Sequence, residues 1–158
     1  MKGFLTTIGC TTAAKKAKTE DSPIIACFKN SGMIPFVRSI LPQLGMTFES
    51  NSHLWGRALN PWDSKRTPGG SSGGEGGLIS SGCSFLGIGG DIGGSIRIPA
   101  IFCGITGIKL GARRISNRYH EVADPAFWGF CTSVPNSLGP LGRCSEDLAL
   151  FLKVTTIQ

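Results

Sequence analysis

The chain is 158 residues long, with 41% hydrophobic and 16% charged residues, a composition that suits one domain with a real core and excludes a disordered polymer. Its formal charge is +6, but the basic residues are scattered, and the densest groups (Lys15, Lys16, Lys18 and Arg113, Arg114, Arg118) have almost no aromatic interleaving; a solvated basic face is expected, with no nucleic-acid partner. The six cysteines form no C-x-x-C pair and the histidines, His53 and His120, lie far apart, so neither a metal site nor a cofactor is expected. Reduced, mostly buried thiols suit an intracellular protein, cytoplasmic or membrane-associated. Residues 1–9 carry no signal-peptide pattern, and no apolar stretch approaches the roughly 18 residues a spanning helix needs.

In chain order, Glu20-Asp21-Ser22-Pro23 reads as a helix start. Ser22 can cap, Pro23 suits the first helical position and the acids sit at the positive end. Ile24, Ile25 and Phe28 should face a core, and Gly32 should stop the helix. Residues 33–37, Met-Ile-Pro-Phe-Val, predict a short strand after that helix, as in an α/β layered fold. Residues 38–68 read as irregular, with turns at Asn60-Pro61 and Thr67-Pro68. A helix is expected over 75–81, a buried strand over 85–89, and another strand over 105–110 running into the basic turn at Arg113 and Arg114. The last element is a helix from Ser145, with Leu148, Phe151, Leu152 and Thr155 on one face at i, i+3, i+4 and i+7. Both ends read as cut rather than finished.

Gly is 23 of 158 residues, about twice ordinary usage, and the glycines concentrate between Gly69 and Gly111. A flexible Gly/Ser linker is the plain reading of GGSSGGEGG, but a second cluster, GIGGDIGGS, follows an apolar stretch, and linkers do not alternate with buried strands. A phosphate cradle fails because Glu75 stands where that loop requires Lys. A nucleophile elbow needs a strand directly before its serine, and the text from Asp63 to Pro68 is turn-like. No S-x-x-K occurs anywhere in the chain.

What remains is a pair of serines in two glycine-rich loops, Ser71 and Ser95. GGSSGG, then DIGGSIRIPA, then C-G-x-x-G-x-K is a long compound pattern, and by it the chain closely resembles the amidase signature family. Glu75 directly after GGSSGG, Met33-Ile34-Pro35-Phe36-Val37, Asn60-Pro61-Trp62 and a Leu138-Gly139-Pro140-Leu141 turn before the last helix are similar to its fatty acid amide hydrolase branch. The resemblance implies a twisted mixed α/β sheet with helices on both faces, of which residues 1–158 supply a partial amidase domain. It also implies Ser95 as nucleophile, Ser71 as proton relay after a cis peptide bond, and the amides of Ile92, Gly93, Gly94 and Ser95 as the oxyanion hole. Ser72 and Arg97 take supporting roles, Arg97 either anchoring the nucleophile loop or forming a structural salt bridge.

The family's third catalytic member is a lysine upstream of Met1 in the resemblance, and no lysine here sits in a matching motif. Lys109 matches a structural lysine, with Leu110 in place of the usual proline. The expected activity is hydrolysis of a small amide substrate, of fatty acyl type, by a Ser-Ser-Lys mechanism whose lysine lies outside this chain. A generic amidase, an amidotransferase A subunit and a non-catalytic relative stay open, as do membrane association through other segments and a homodimer.

Overall fold

The computed structural model describes residues 1–15, 17–116 and 134–156; Lys16, Arg118, His120 and Cys131 lie outside the described residues. The first helix, α1, is Pro23–Asn30. Pro23 costs nothing at a position whose N–H would be unpaired, and Ile24, Cys27 and Phe28 are buried along one face. Ser22 is the N-cap residue, but its side chain makes no capping hydrogen bond. Gly32 follows the helix at φ 78°.

Residues 33–37 do not form the expected strand. Pro35 has no N–H to donate, no neighbouring strand pairs with the segment among the described residues, and Ile34 and Phe36 are 82% and 67% exposed. A small antiparallel hairpin follows, β1 (Asn51–Ser52) with β2 (Gly56–Arg57), in the register Asn51↔Arg57. Next come α2 (Gly73–Ser80), β3 (Leu86–Asp91), α3 (Arg97–Cys103) and β4 (Thr106–Gly107). After β5 (Ser137–Gly142) the final described helix, α4, is Ser145–Thr156.

The three longer-range strands form one sheet in the order β3-β5-β4, with antiparallel pairing at both seams. Its middle strand is the Leu138-Gly139-Pro140-Leu141 segment, which is a fully buried strand and not the expected turn. Pro140 is tolerated in this central position because of its orientation. Its carbonyl accepts from Ile108 N–H at 3.2 Å, so its missing N–H faces the short strand β4 and leaves the β3 seam intact. Gly139 is needed because the backbone of Ile108 lies directly over it, and a Cβ there would also meet Ile96 Cδ1 at 3.1 Å.

Alternation along the strands divides the core into two clusters. Leu138 on β5, with Leu86 and Ile88 on β3, packs against Ile24 and Phe28 of α1, against Phe151 of α4 and against Ile115, which lies outside the helices. Leu141 faces the other way and closes on Ile79 of α2 and Ile96, with Ile105 beside them. Helices therefore cover both faces of the sheet. The strand begins one residue later than expected, since Phe85 is 74% exposed and lies 5.3 Å from the Arg143 guanidinium. Strand β4 is shorter than the expected 105–110. No described helix is long and apolar enough to cross a membrane.

The stripe on α4 is organised by Phe151, which is fully buried and meets Phe28 edge-on, with ring centroids 5.4 Å apart and planes at 67°. Truncating such a ring removes its burial and leaves a cavity. Phe151→Ala is expected to destabilise the protein by about 3–5 kcal/mol, read as a lower denaturation midpoint in urea with an unchanged slope.

Candidate active site

Ser71 and Ser95 each stand one residue ahead of a helix N-cap, Ser72 for α2 and Ile96 for α3. The two loops are joined directly: Ser72 N–H donates to the Ser95 carbonyl at 3.1 Å. Both serines line one cavity of about 720 Å³, together with Ser72, Ile92 and Gly93 and an apolar wall that includes Phe48. The Gly70–Ser71 peptide is cis.

Helix α2 reads GGEGGLIS, a poor helix former by propensity, so contact must justify its glycines. A Cβ on Gly74 would strike the backbone of Ile40, and one on Gly76 would press on Cys103 Sγ at 3.1 Å. Cys103 is fully buried, and burial pushes its thiol up to about 11, so this cysteine is a packing residue with little thiolate character. At the far end of α3, side chains take up carbonyls that a helix terminus leaves unpaired. Asn60 Nδ2 donates to Phe102 O at 3.0 Å, and Trp62 Nε1 and Ser80 Oγ donate to Cys103 O at 2.8 and 2.7 Å.

The Ser95 loop is gathered around Asp91, which has no exposed surface. Its Oδ1 accepts from Gly94 N–H at 2.7 Å, and its Oδ2 from the amides of Ile96 and Arg97 at 3.1 and 3.4 Å. The Arg97 guanidinium forks onto the same carboxylate, Nε to Oδ2 at 3.1 Å and Nη2 to Oδ1 at 3.0 Å. Burial by itself raises the Asp91 pKa, but the Arg97 fork and the three amides outweigh it and hold the carboxyl below its usual range. Arg97 thus anchors the loop by means of a salt bridge, and both expectations for it describe one contact.

Gly94, expected to contribute to the oxyanion hole, donates its N–H to Asp91 Oδ1 at 2.7 Å. The amides of Ile92, Gly93 and Ser95 have no protein acceptor among the described residues. Gly94 earns its place sterically: φ is 136°, and a Cβ would meet Ile98 Cδ1 at 2.7 Å.

Ser72 is buried, and its hydroxyl lies over β3, where a Cβ on Gly89 would come within 2.6 Å of Ser72 Oγ. Glu75 also lines the cavity. Its Oε1 accepts from Ser39 Oγ at 2.6 Å; burial pushes the carboxyl pKa up, against the pull of that hydrogen bond. Lys109 donates to Ser137 Oγ at 3.3 Å, outside the cavity wall. Among the described residues no group of three or more His, Cys, Asp or Glu side chains could hold a metal ion.

Sequence reading missed two residues of this site. Asp91 had a usable signal: a lone carboxylate in a glycine and isoleucine run must be buried and paired. Ser50 had none. It is fully buried and bonds to the Ser71 loop from 19 to 23 residues away.

The depressed Asp91 pKa makes a pH prediction. A carboxylate with a folded pKa below its unfolded value contributes stability above about pH 3.9, the unfolded value, and loses it as pH falls through the folded pKa. Asp91→Asn should lower the thermal midpoint at pH 7 and flatten its fall between pH 5 and acid, since Asn places an NH₂ against donors and has no proton to take up. An unchanged acid slope in the variant would contradict this role.

The whole chain, residues 1–158, matches the amidase family profile. It is 42% identical over 96% of its length to a vitamin D3 hydroxylase-associated protein from Gallus gallus, of which it covers 32%. It is 41% identical over 96% of its length to fatty-acid amide hydrolase 1 from Sus scrofa, of which it covers 26%. A solved fatty acid amide hydrolase structure superposes with a TM-score of 0.88 at 31% identity, over 97% of this chain and 26% of that one. The chain thus spans between about a quarter and a third of the length of these relatives. With its paired serine loops and two-faced α/β sheet, it belongs to the amidase family.

Proposed function

We propose that residues 1–158 carry the nucleophile and proton-relay segment of a serine hydrolase that cleaves amide bonds, with fatty acid amides as the substrate class. The observation that supports it most is that Ser71 and Ser95 open on one cavity while the Ser72 amide ties their loops together at 3.1 Å. Ser95 Oγ attacks the carbonyl carbon and passes its proton to Ser71, which gives up its own to a base. The base in this reading is a lysine outside residues 1–158, as in the resemblance. On collapse of the tetrahedral intermediate, Ser71 hands a proton to the departing amine, a group too basic to leave unprotonated. Water then hydrolyses the acyl-enzyme. The developing oxyanion takes hydrogen bonds from the amides of Ile92, Gly93 and Ser95.

The fatty acyl part of the proposal rests on the names of the relatives and on the apolar wall of the cavity, where Leu44, Met46, Phe48 and Ile88 stand beside the serines. In the full-length protein, Ser95→Ala should lower kcat for oleamide by more than about 1,000-fold, and Ser71→Ala by about 100-fold to 10,000-fold. Liberated ammonia and oleate are the readout. Wild-type-like turnover in Ser95→Ala would overturn the nucleophile assignment, and turnover of glutamine but not oleamide would overturn the lipid substrate.

A further inference from the structure

Ser50 sits just ahead of β1 with no exposed surface. Its hydroxyl makes contact with three backbone groups of the first serine loop: it lies 3.0 Å from the Gly69 carbonyl and 3.0 Å from the Ser71 carbonyl as donor, and 2.8 Å from the Gly73 N–H as acceptor. One hydroxyl proton serves the two carbonyls, and a lone pair takes the amide. Gly73 is the first residue of α2, so its N–H is one of those a helix start leaves unpaired. The N-cap side chain, Ser72, makes no capping hydrogen bond. Ser50 therefore caps α2 from outside, and the Ser72 hydroxyl stays over β3.

The chain around Ser50 is a backing plate for the loop. A Cβ on Gly70 would lie 2.7 Å from Thr47 O, Phe48 C and Glu49 N, so residues 47–49 press directly against the residue before Ser71. Ser50 is held in turn, its carbonyl accepting from Ala58 N–H at 2.9 Å beyond the hairpin. It bonds to the Ser71 backbone carbonyl, and Ser71 lines the cavity.

We infer that Ser50 is a positioning residue for the relay: it sets where the Ser71 hydroxyl stands, and so governs proton delivery to the leaving amine. This rests on the hydrolase reading above. It separates from a role in stability by leaving group, because an amine must be protonated to depart and p-nitrophenolate need not be. A relay misplaced by about 1 Å can cost about 100-fold, and that loss should fall mainly on amides.

The test uses the full-length protein with oleamide and p-nitrophenyl oleate. Ser50→Ala is expected to lower kcat for the amide about 100-fold, with KM little changed and a smaller loss on the ester, so the amide-to-ester ratio drops. Ser50→Cys, close in volume but a weak donor, should fall between wild type and Ser50→Ala. Ser52→Ala removes another buried hydroxyl of the hairpin, one that accepts from Trp55 N–H at 3.1 Å and makes no bond to the glycine loop; it should leave the ratio where it is. A wild-type ratio in folded Ser50→Ala overturns the inference, as does an equal drop in Ser52→Ala. If Ser50→Ala does not fold, the ratio in Ser50→Cys decides on the same terms. Absence of any Ser95-dependent turnover in the wild type would instead overturn the hydrolase reading, and this assignment with it.

Discussion

Asp91 has no contact with solvent, so the charge it carries must be matched by donors from its own protein. It finds them within six residues: the amides of Gly94, Ile96 and Arg97 and the Arg97 guanidinium. Those contacts bend the chain from the end of β3 into the start of α3, and Ser95 lies in the bend. The rest of the site is built outward from that turn. Ser95 presents its carbonyl to Ser72 N–H, which docks the second loop onto the first, and Ile96 goes into the core beside Ile79 and Leu141. A removed charge here would loosen a backbone turn, a core contact and the inter-loop bond together.

The glycines follow from the same closeness. Between Gly69 and Gly94 the chain is pressed against backbone or side chains at distances a Cβ would violate: Gly70 on residues 47–49, Gly89 on Ser72 and Ile96, Gly94 on Ile98. The Gly70 and Gly89–Ser72 contacts join segments far apart in sequence, so the serine loops owe their shape to packing from several directions and not to local propensity alone. Helix α2 is the clearest case, since its sequence disfavours a helix and its packing against α3 requires one. The same packing spends the Gly94 amide on a carboxylate, while those of Ile92, Gly93 and Ser95 have no protein acceptor among the described residues.

Much of this was readable in the residues. The periodicity of α1 and α4 is local, and Ile24, Phe28, Leu148 and Phe151 are buried as that pattern requires. The helix after the serine–glycine run and the strand after it were also legible, within a residue or two at each end. The serines were found through a compound motif that resembles a family, which carries more information than any single glycine pattern. What failed did so where long-range contact decides. Leu138-Gly139-Pro140-Leu141 looks like a turn by composition, and only the flanking strands make it the centre of a sheet. Residues 33–37 look like a strand, yet with Pro35 and no partner strand among the described residues, Ile34, Phe36 and Val37 stay exposed. Ser50 offers no local sign at all, because its partners belong to a loop that only the fold brings beside it.

The assignment of Ser95 over Ser71 as nucleophile is tested most directly by treating the full-length protein with a fluorophosphonate and locating the adduct by tandem mass spectrometry. No lysine or arginine separates the two serines, so both fall in the tryptic peptide 67–97 and fragment ions must place the added mass. An adduct on Ser95 with Ser71 and Ser72 unmodified is the predicted result. An adduct on Ser71 with Ser95 untouched would contradict it, and the roles of the two loops would have to be exchanged.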